Sequence, residues 1–154
     1  MIKKILLVLL VALVVMQFIR PAKNVSQGVN AKDISVLYKV PDSVNVILAK
    51  ACNDCHSDNT KYPWYNNIQP VAWWLRKHVT GGKRHLNFSE FGNYPVAKQV
   101  KKLKKTAKEV TDGDMPLDSY LWIHKDAILS DAEKKTLINW ADSLSQQISV
   151  QNKL

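Results

Sequence analysis

The sequence predicts an all-α fold: a small helical domain with long connecting loops behind an N-terminal hydrophobic helix. Three observations carry that prediction. Every periodic segment repeats its apolar residues at three- and four-residue spacing, which is one face of a helix. No run alternates apolar and polar residues as a half-buried strand would. Helix punctuation recurs too, with a proline near one start, glycines after an apolar stripe and one capping box. A chain of 154 residues, 46% of them hydrophobic, suffices for one domain with its own core.

The first element is "MIKKILLVLLVALVVMQFIRP". Lys3 and Lys4 precede a run that is apolar from Ile5 to Met16, with Phe18 and Ile19 beyond Gln17. A basic start followed by an all-round apolar helix is an export signal. The residues after the run are all large, from Met16 to Arg20, and offer no small-x-small cleavage site. Residues 1–23 are therefore expected as a retained transmembrane signal-anchor, at the short edge of what spans a bilayer. The domain would then sit on the cytoplasmic membrane facing the periplasm, the alternative being a soluble periplasmic form after cleavage. Residues 24–41 are mostly polar without a sustained period and read as a tether.

The domain proper is expected over residues 42–150. Val44, Ile47, Leu48 and Ala51 recur at helical spacing after a start at Asp42 or Ser43. A second helix opens near Pro70 and carries Val71, Trp74, Leu75 and His78, with Gly81 and Gly82 predicted to end it. A third runs from about Pro95 to Val110 on the stripe Val96, Val100, Leu103, Ala107 and Val110. A short helix is expected over Ser119–His124. The last opens on "SDAE", where Ser130 and Glu133 form a capping box, and continues through Leu137, Ile138, Ala141, Leu144 and Ile148.

Between the first two of these helices lies "CNDCH", which holds the chain's two cysteines, Cys52 and Cys55, with His56 directly behind. C-x-x-C-H is the attachment pattern of c-type haem. Two thiols add across the porphyrin vinyl groups as thioethers, and the adjacent imidazole ligates the iron. Three rival readings fit less well. A redox-active C-x-x-C sits beside a βαβ pattern, and this chain shows no strand signal. A disulfide across two residues closes a strained loop that stabilises little. A zinc site would need four ligands and an irregular histidine pattern. One covalent haem c is the cofactor expected, with Cys52 and Cys55 as attachment points and His56 as iron ligand.

Met115 is the candidate for the sixth position. It is the single methionine outside the N-terminal segment, in the loop "TDGDMPLDSY". Asp112, Gly113 and Asp114 break the preceding helix, and Pro116 biases Met115 towards extended backbone. His85, behind two glycines in "GGKRHLNFSEF", is the alternative ligand. His78 follows an apolar helix face, and His124 ends a short helix where a cation complements the dipole. Tyr62, Trp64, Tyr65, Trp73, Trp74 and Phe88 flank the motif and supply the large apolar surface that a macrocycle needs. Arg76, Lys83 and Arg84 are candidate partners for its carboxylates.

The stretch from Cys52 to Phe91, with "GDMP" and "LSDAEKKTLINWADSL" further on, resembles the bacterial haem-binding domain family, small exported proteins with one C-x-x-C-H motif. The resemblance covers roughly residues 5 to 147 and includes "QFIRP", "PWY", "HLNFSE" and "MP". It implies a cytochrome c-like layout and haem binding. Many relatives carry a second proline where this chain has Leu117.

The chain has 22 Lys plus Arg against 13 Asp plus Glu, and four of the positive charges fall in residues 1–23. Lys98, Lys101, Lys102, Lys104, Lys105 and Lys108 crowd one helix, a solvated face that suits an acidic redox partner protein docking near Lys98–Lys108, or anionic head groups. Nucleic acid does not fit an exported domain. No paired carboxylates, Ser-His-Asp set or Gly-rich phosphate loop argues for an enzyme. The function expected is electron transfer, and the runner-up is a haem enzyme or gas sensor with an open or displaceable sixth site.

Overall fold

A computed structural model describes residues 1–153, and these are helical with no strand among them. Eight helices follow in order: α1 (Ile2–Met16), α2 (Ile34–Leu37), α3 (Asp42–Ala51), α4 (Asn53–His56), α5 (Val71–His85), α6 (Val96–Asp112), α7 (Asp118–Leu121) and α8 (Asp131–Gln151). Short 3₁₀ turns lie at Trp64–Asn67, Phe88–Asn93 and Lys125–Ala127.

The core is built on α6 against α8, the most extensive helix pair, with α3 laid beside α8. The predicted stripe of α6 is buried at Val100, Leu103, Ala107 and Val110. It meets Leu137, Ala141, Leu144 and Ile148 of α8, and Val44, Ile47 and Leu48 of α3 close the cluster. The capping box forms as expected: the Glu133 amide donates to Ser130 Oγ, and the Ser130 amide donates to the Glu133 carboxylate at 2.9 Å. Lys50 at the end of α3 pairs with that carboxylate at 2.6 Å and ties the two helices at one corner. Gly113, with φ of +81°, ends α6 in the left-handed conformation that favours glycine and sends the chain towards Met115.

Three expectations need correction. The helix over residues 1–23 stops at Met16, and among the described residues no helix is long and apolar enough to cross a membrane. Its end has a local cause: the Gln17 side chain bridges the Leu13 carbonyl of the helix to the backbone of Gln69, and Pro21 cannot continue the helix. Residues 24–41 are no free tether. Ile34 of α2 is buried in the core, Tyr38 donates to Gln99 at 2.6 Å, and Asn24 is bonded into the loop after the cysteine motif. Finally, α5 runs through Gly81 and Gly82 to His85. Helical glycines lose about 1 kcal/mol each against alanine, but they do not by themselves end a helix that packing holds.

Candidate functional site

Helix α3 ends at Ala51, and Cys52 leads into the single turn α4 that carries the rest of the motif. The amides of Cys55 and His56 both donate to the Cys52 carbonyl, at 3.1 and 2.9 Å. This turn packs on α5 with almost no gap. A Cβ placed on Gly82 would lie 2.5 Å from the Cys55 carbonyl oxygen and 2.9 Å from its Cβ, so only glycine allows this approach.

Cys52 and Cys55 are free thiols, partly buried and unbridged. Burial pushes the Cys52 thiol up to about 12, with Cys55 adding to the effect, and pushes Cys55 up to about 11, with Asp54 adding. Both stay protonated at neutral pH, the reverse of the depressed thiol that a disulfide-exchange motif needs. Among the described residues no group of three His, Cys, Asp or Glu side chains is gathered as a metal site.

His56 is held from behind. Its Nδ1 lies 2.9 Å from the Leu86 carbonyl, which can only accept, so the proton sits on Nδ1 and Nε2 keeps its lone pair. The ring packs edge-on against Phe88 with centroids 6.4 Å apart. Burial pulls the imidazole below its usual value and keeps it neutral, as a metal ligand must be. An oriented neutral imidazole beside two unreacted thiols is a donor set that fits haem.

Cys55 also borders a cleft walled by residues from the loop after the motif, from α5 and from the segment around α7. The cleft is narrow, with a cavity volume of about 50 Å³, and is lined by Cys55, Tyr65, Trp74, His78, Tyr120 and His124, among others. Neither His56 nor Met115 lines it. The Tyr120 hydroxyl donates to Asp54 Oδ2 at 2.8 Å, and its ring stacks on His124 at 4.1 Å. The Tyr65 hydroxyl lies 3.2 Å from His124 Nε2, whereas His124 Nδ1 is buried without a partner. His78 donates from Nδ1 to the Trp74 carbonyl at 2.9 Å.

Met115 is partly buried against the same apolar cluster that Cys52 borders, and its amide donates to the Glu109 carbonyl at the end of α6. His85 is exposed at the last turn of α5, its carbonyl accepting from Lys102. Of the candidate carboxylate partners, Lys83 is already engaged: Nζ lies 2.6 Å from Asp58 and 2.7 Å from Asn24 Oδ1. Burial alone would raise the Asp58 carboxyl, but its bonds to Lys83 and Asn87 outweigh that and hold it low. Arg76 donates to the Ala22 carbonyl, and Arg84 is exposed.

Sequence reasoning missed three contributors to this site. The Leu86 carbonyl is backbone and leaves no residue-type signal. Gly82 was visible, but as a helix end rather than a contact. Asn24 lay in a stretch without periodicity, yet it bonds Ser57, Thr60, Tyr62 and Lys83, and so pins the loop after the motif.

Comparison with known proteins adds one match. Residues 11–143 fit the model of a family described as the haem-binding domain. No curated protein and no solved structure matches the chain. The matched span takes in the cysteine motif, the His56 cradle, Met115 and most of α8. The chain belongs to the haem-binding domain family.

Proposed function

We propose that the protein binds one haem c covalently and transfers single electrons at the outer face of the cytoplasmic membrane. The observation that carries this reading is the cradle of His56: its Nδ1 is held by the Leu86 carbonyl, which leaves the lone pair on Nε2, and two unbridged thiols precede it in the same motif. Cys52 and Cys55 would hold the macrocycle through thioethers, and His56 would ligate the iron through Nε2. A bound haem supplies a one-electron couple whose potential follows its axial ligands. Met115 is the proposed sixth donor, because the Gly113 cap delivers it from α6 to the border of the apolar cluster that Cys52 shares. A thioether donor favours the reduced iron and raises the potential.

The lysine face of α6 is the proposed docking surface for an acidic redox partner. Lys98, Lys101, Lys104, Lys105 and Lys108 are exposed, whereas Lys102 lies 4.4 Å over the Tyr94 ring. The apolar helix α1 is the proposed membrane attachment.

Replacing Met115 tests the electron-transfer reading. Oxidised protein should show the near-infrared sulfur-to-iron charge-transfer band, and Met115→Ala should abolish it, lower the potential and leave the haem attached. His85→Ala, the control at the alternative donor, should change neither property. A band missing from the wild type, with ligation lost only in His85→Ala, would point instead to a displaceable-site sensor or enzyme.

A further inference from the structure

Helix α1 is exposed and, beyond Lys3 and Lys4, apolar on every side, yet its 15 residues extend only about 22 Å against a hydrocarbon core of about 30 Å. The chain beyond it is not slack. Gln17 and Gln69 bond reciprocally: Gln69 N donates to Gln17 Oε1 at 2.9 Å, and Gln17 Nε2 donates to the Gln69 carbonyl at 3.3 Å. The Ile19 carbonyl accepts from Gln69 Nε2 at 2.8 Å and from Trp73 Nε1 at 3.1 Å. Asn24 and Ser26 continue the strap onto Thr60 and Asn59. The foot of α1 is thereby fixed to one face of the domain.

That face is apolar and rich in tryptophan. Phe18 is 84% exposed where the strap begins, and Ile68, next to Gln69, and Trp73, which bonds Ile19, are exposed as well. Trp74, Leu117 and Ile123 line one cleft together, and Tyr65 of the same cleft carries Trp64 edge-on. Trp64 and Trp122 are 75% and 70% exposed, whereas Trp140, on α8, is buried. Four of five tryptophans are thus exposed, Trp73 bonded to the strap itself and Trp64, Trp74 and Trp122 on or next to segments that line the adjoining cleft. Arg20, Lys23 and Lys77 are exposed among the same segments. Tryptophan flanked by basic residues is the composition of a membrane–water interface.

We infer that this face of the domain lies in the lipid interface, with the strap at residues 17–26 setting the domain's orientation on the bilayer. Interfacial elements sink about 5–10 Å into the head-group boundary, which matches the roughly 8 Å that α1 lacks. Continuity with α1 favours lipid over a second copy or a partner protein as the occupant. The inference rests on α1 being retained in the membrane.

Haem-loaded full-length protein in phosphatidylcholine–phosphatidylglycerol vesicles can be labelled with a bilayer-resident apolar diazirine and mapped by peptide mass spectrometry. Label is expected on residues 2–19 and on peptides carrying Trp64, Trp73 and Trp122. It should be missing from Val36 and Val150, which are equally exposed on other elements. Trp122→Ser should reduce the label at residues 117–124 without altering the haem spectrum. Label confined to α1 overturns the inference and leaves the anchor standing; if cross-linking then joins two chains through Trp64 or Trp122, a second copy covers the face. Label absent from α1 as well overturns the retained anchor itself.

Discussion

The Gly82–Cys55 contact sets the geometry of the motif more tightly than any side chain does. A methyl group at position 82 meets backbone, which cannot rotate away, so α5 would have to move off the turn that carries both thiols. Gly81 is one residue earlier in the same helix, and a Cβ there meets nothing within 4 Å; nothing in the structure requires glycine at that position. The pair therefore makes an internal control. Gly81→Ala should stabilise the protein by about 1 kcal/mol through helix propensity alone. Gly82→Ala should instead destabilise it by about 1–3 kcal/mol, as overpacking does, and lower the yield of haem-loaded protein. Thermal unfolding and the haem-to-protein absorbance ratio check both. Cys52, Cys55, His56 and Met115 stand out in the sequence as candidates because their residue types carry the chemistry proposed. The His56 cradle does not, because a backbone carbonyl has no letter in the sequence.

The major packed elements were legible for a related reason. The stripes of α3, α6 and α8 are periodic because each buries one face in a shared core, and the Ser130–Glu133 box marks its own helix. The strap was not, because it is held by backbone and amide bonds that impose no period. Asn24 shows what the pattern missed. Its side chain donates to Ser57 O at 2.9 Å and to Thr60 Oγ1 at 3.0 Å, and accepts from Lys83 at 2.7 Å. Asn24→Ala should cost about 1–3 kcal/mol in chemical denaturation, since it strands partly buried partners. A variant as stable as wild type would mean that the strap is dispensable. The α3–α8 corner makes a separate prediction with pH. The Lys50 ammonium, helped by Ser130, pulls the Glu133 carboxyl from 4.5 down to about 2. A carboxyl lowered by folding stabilises fully above its ordinary value and loses that contribution as pH falls through the lowered one. Glu133→Gln should therefore melt below wild type at neutral pH, with the gap closing between pH 4.5 and 2. A gap that stays constant across that range would show that the ion pair contributes nothing.

At the scale of the molecule, three parts divide the work. The α6–α8 core holds the shape, the segments around α4 and α5 present the thiols and the imidazole, and α1 with its strap gives the molecule one apolar end. Family membership establishes haem binding for the whole, and the proposed covalent attachment would rest on Cys52 and Cys55, with His56 on the iron. Denatured protein from cells that carry a cytochrome c maturation system tests that attachment most directly. After extraction with acidified acetone, intact-mass analysis should show one haem still bound per chain, lost when Cys52→Ala and Cys55→Ala are combined. Haem that leaves with the solvent from the wild-type chain would contradict covalent attachment.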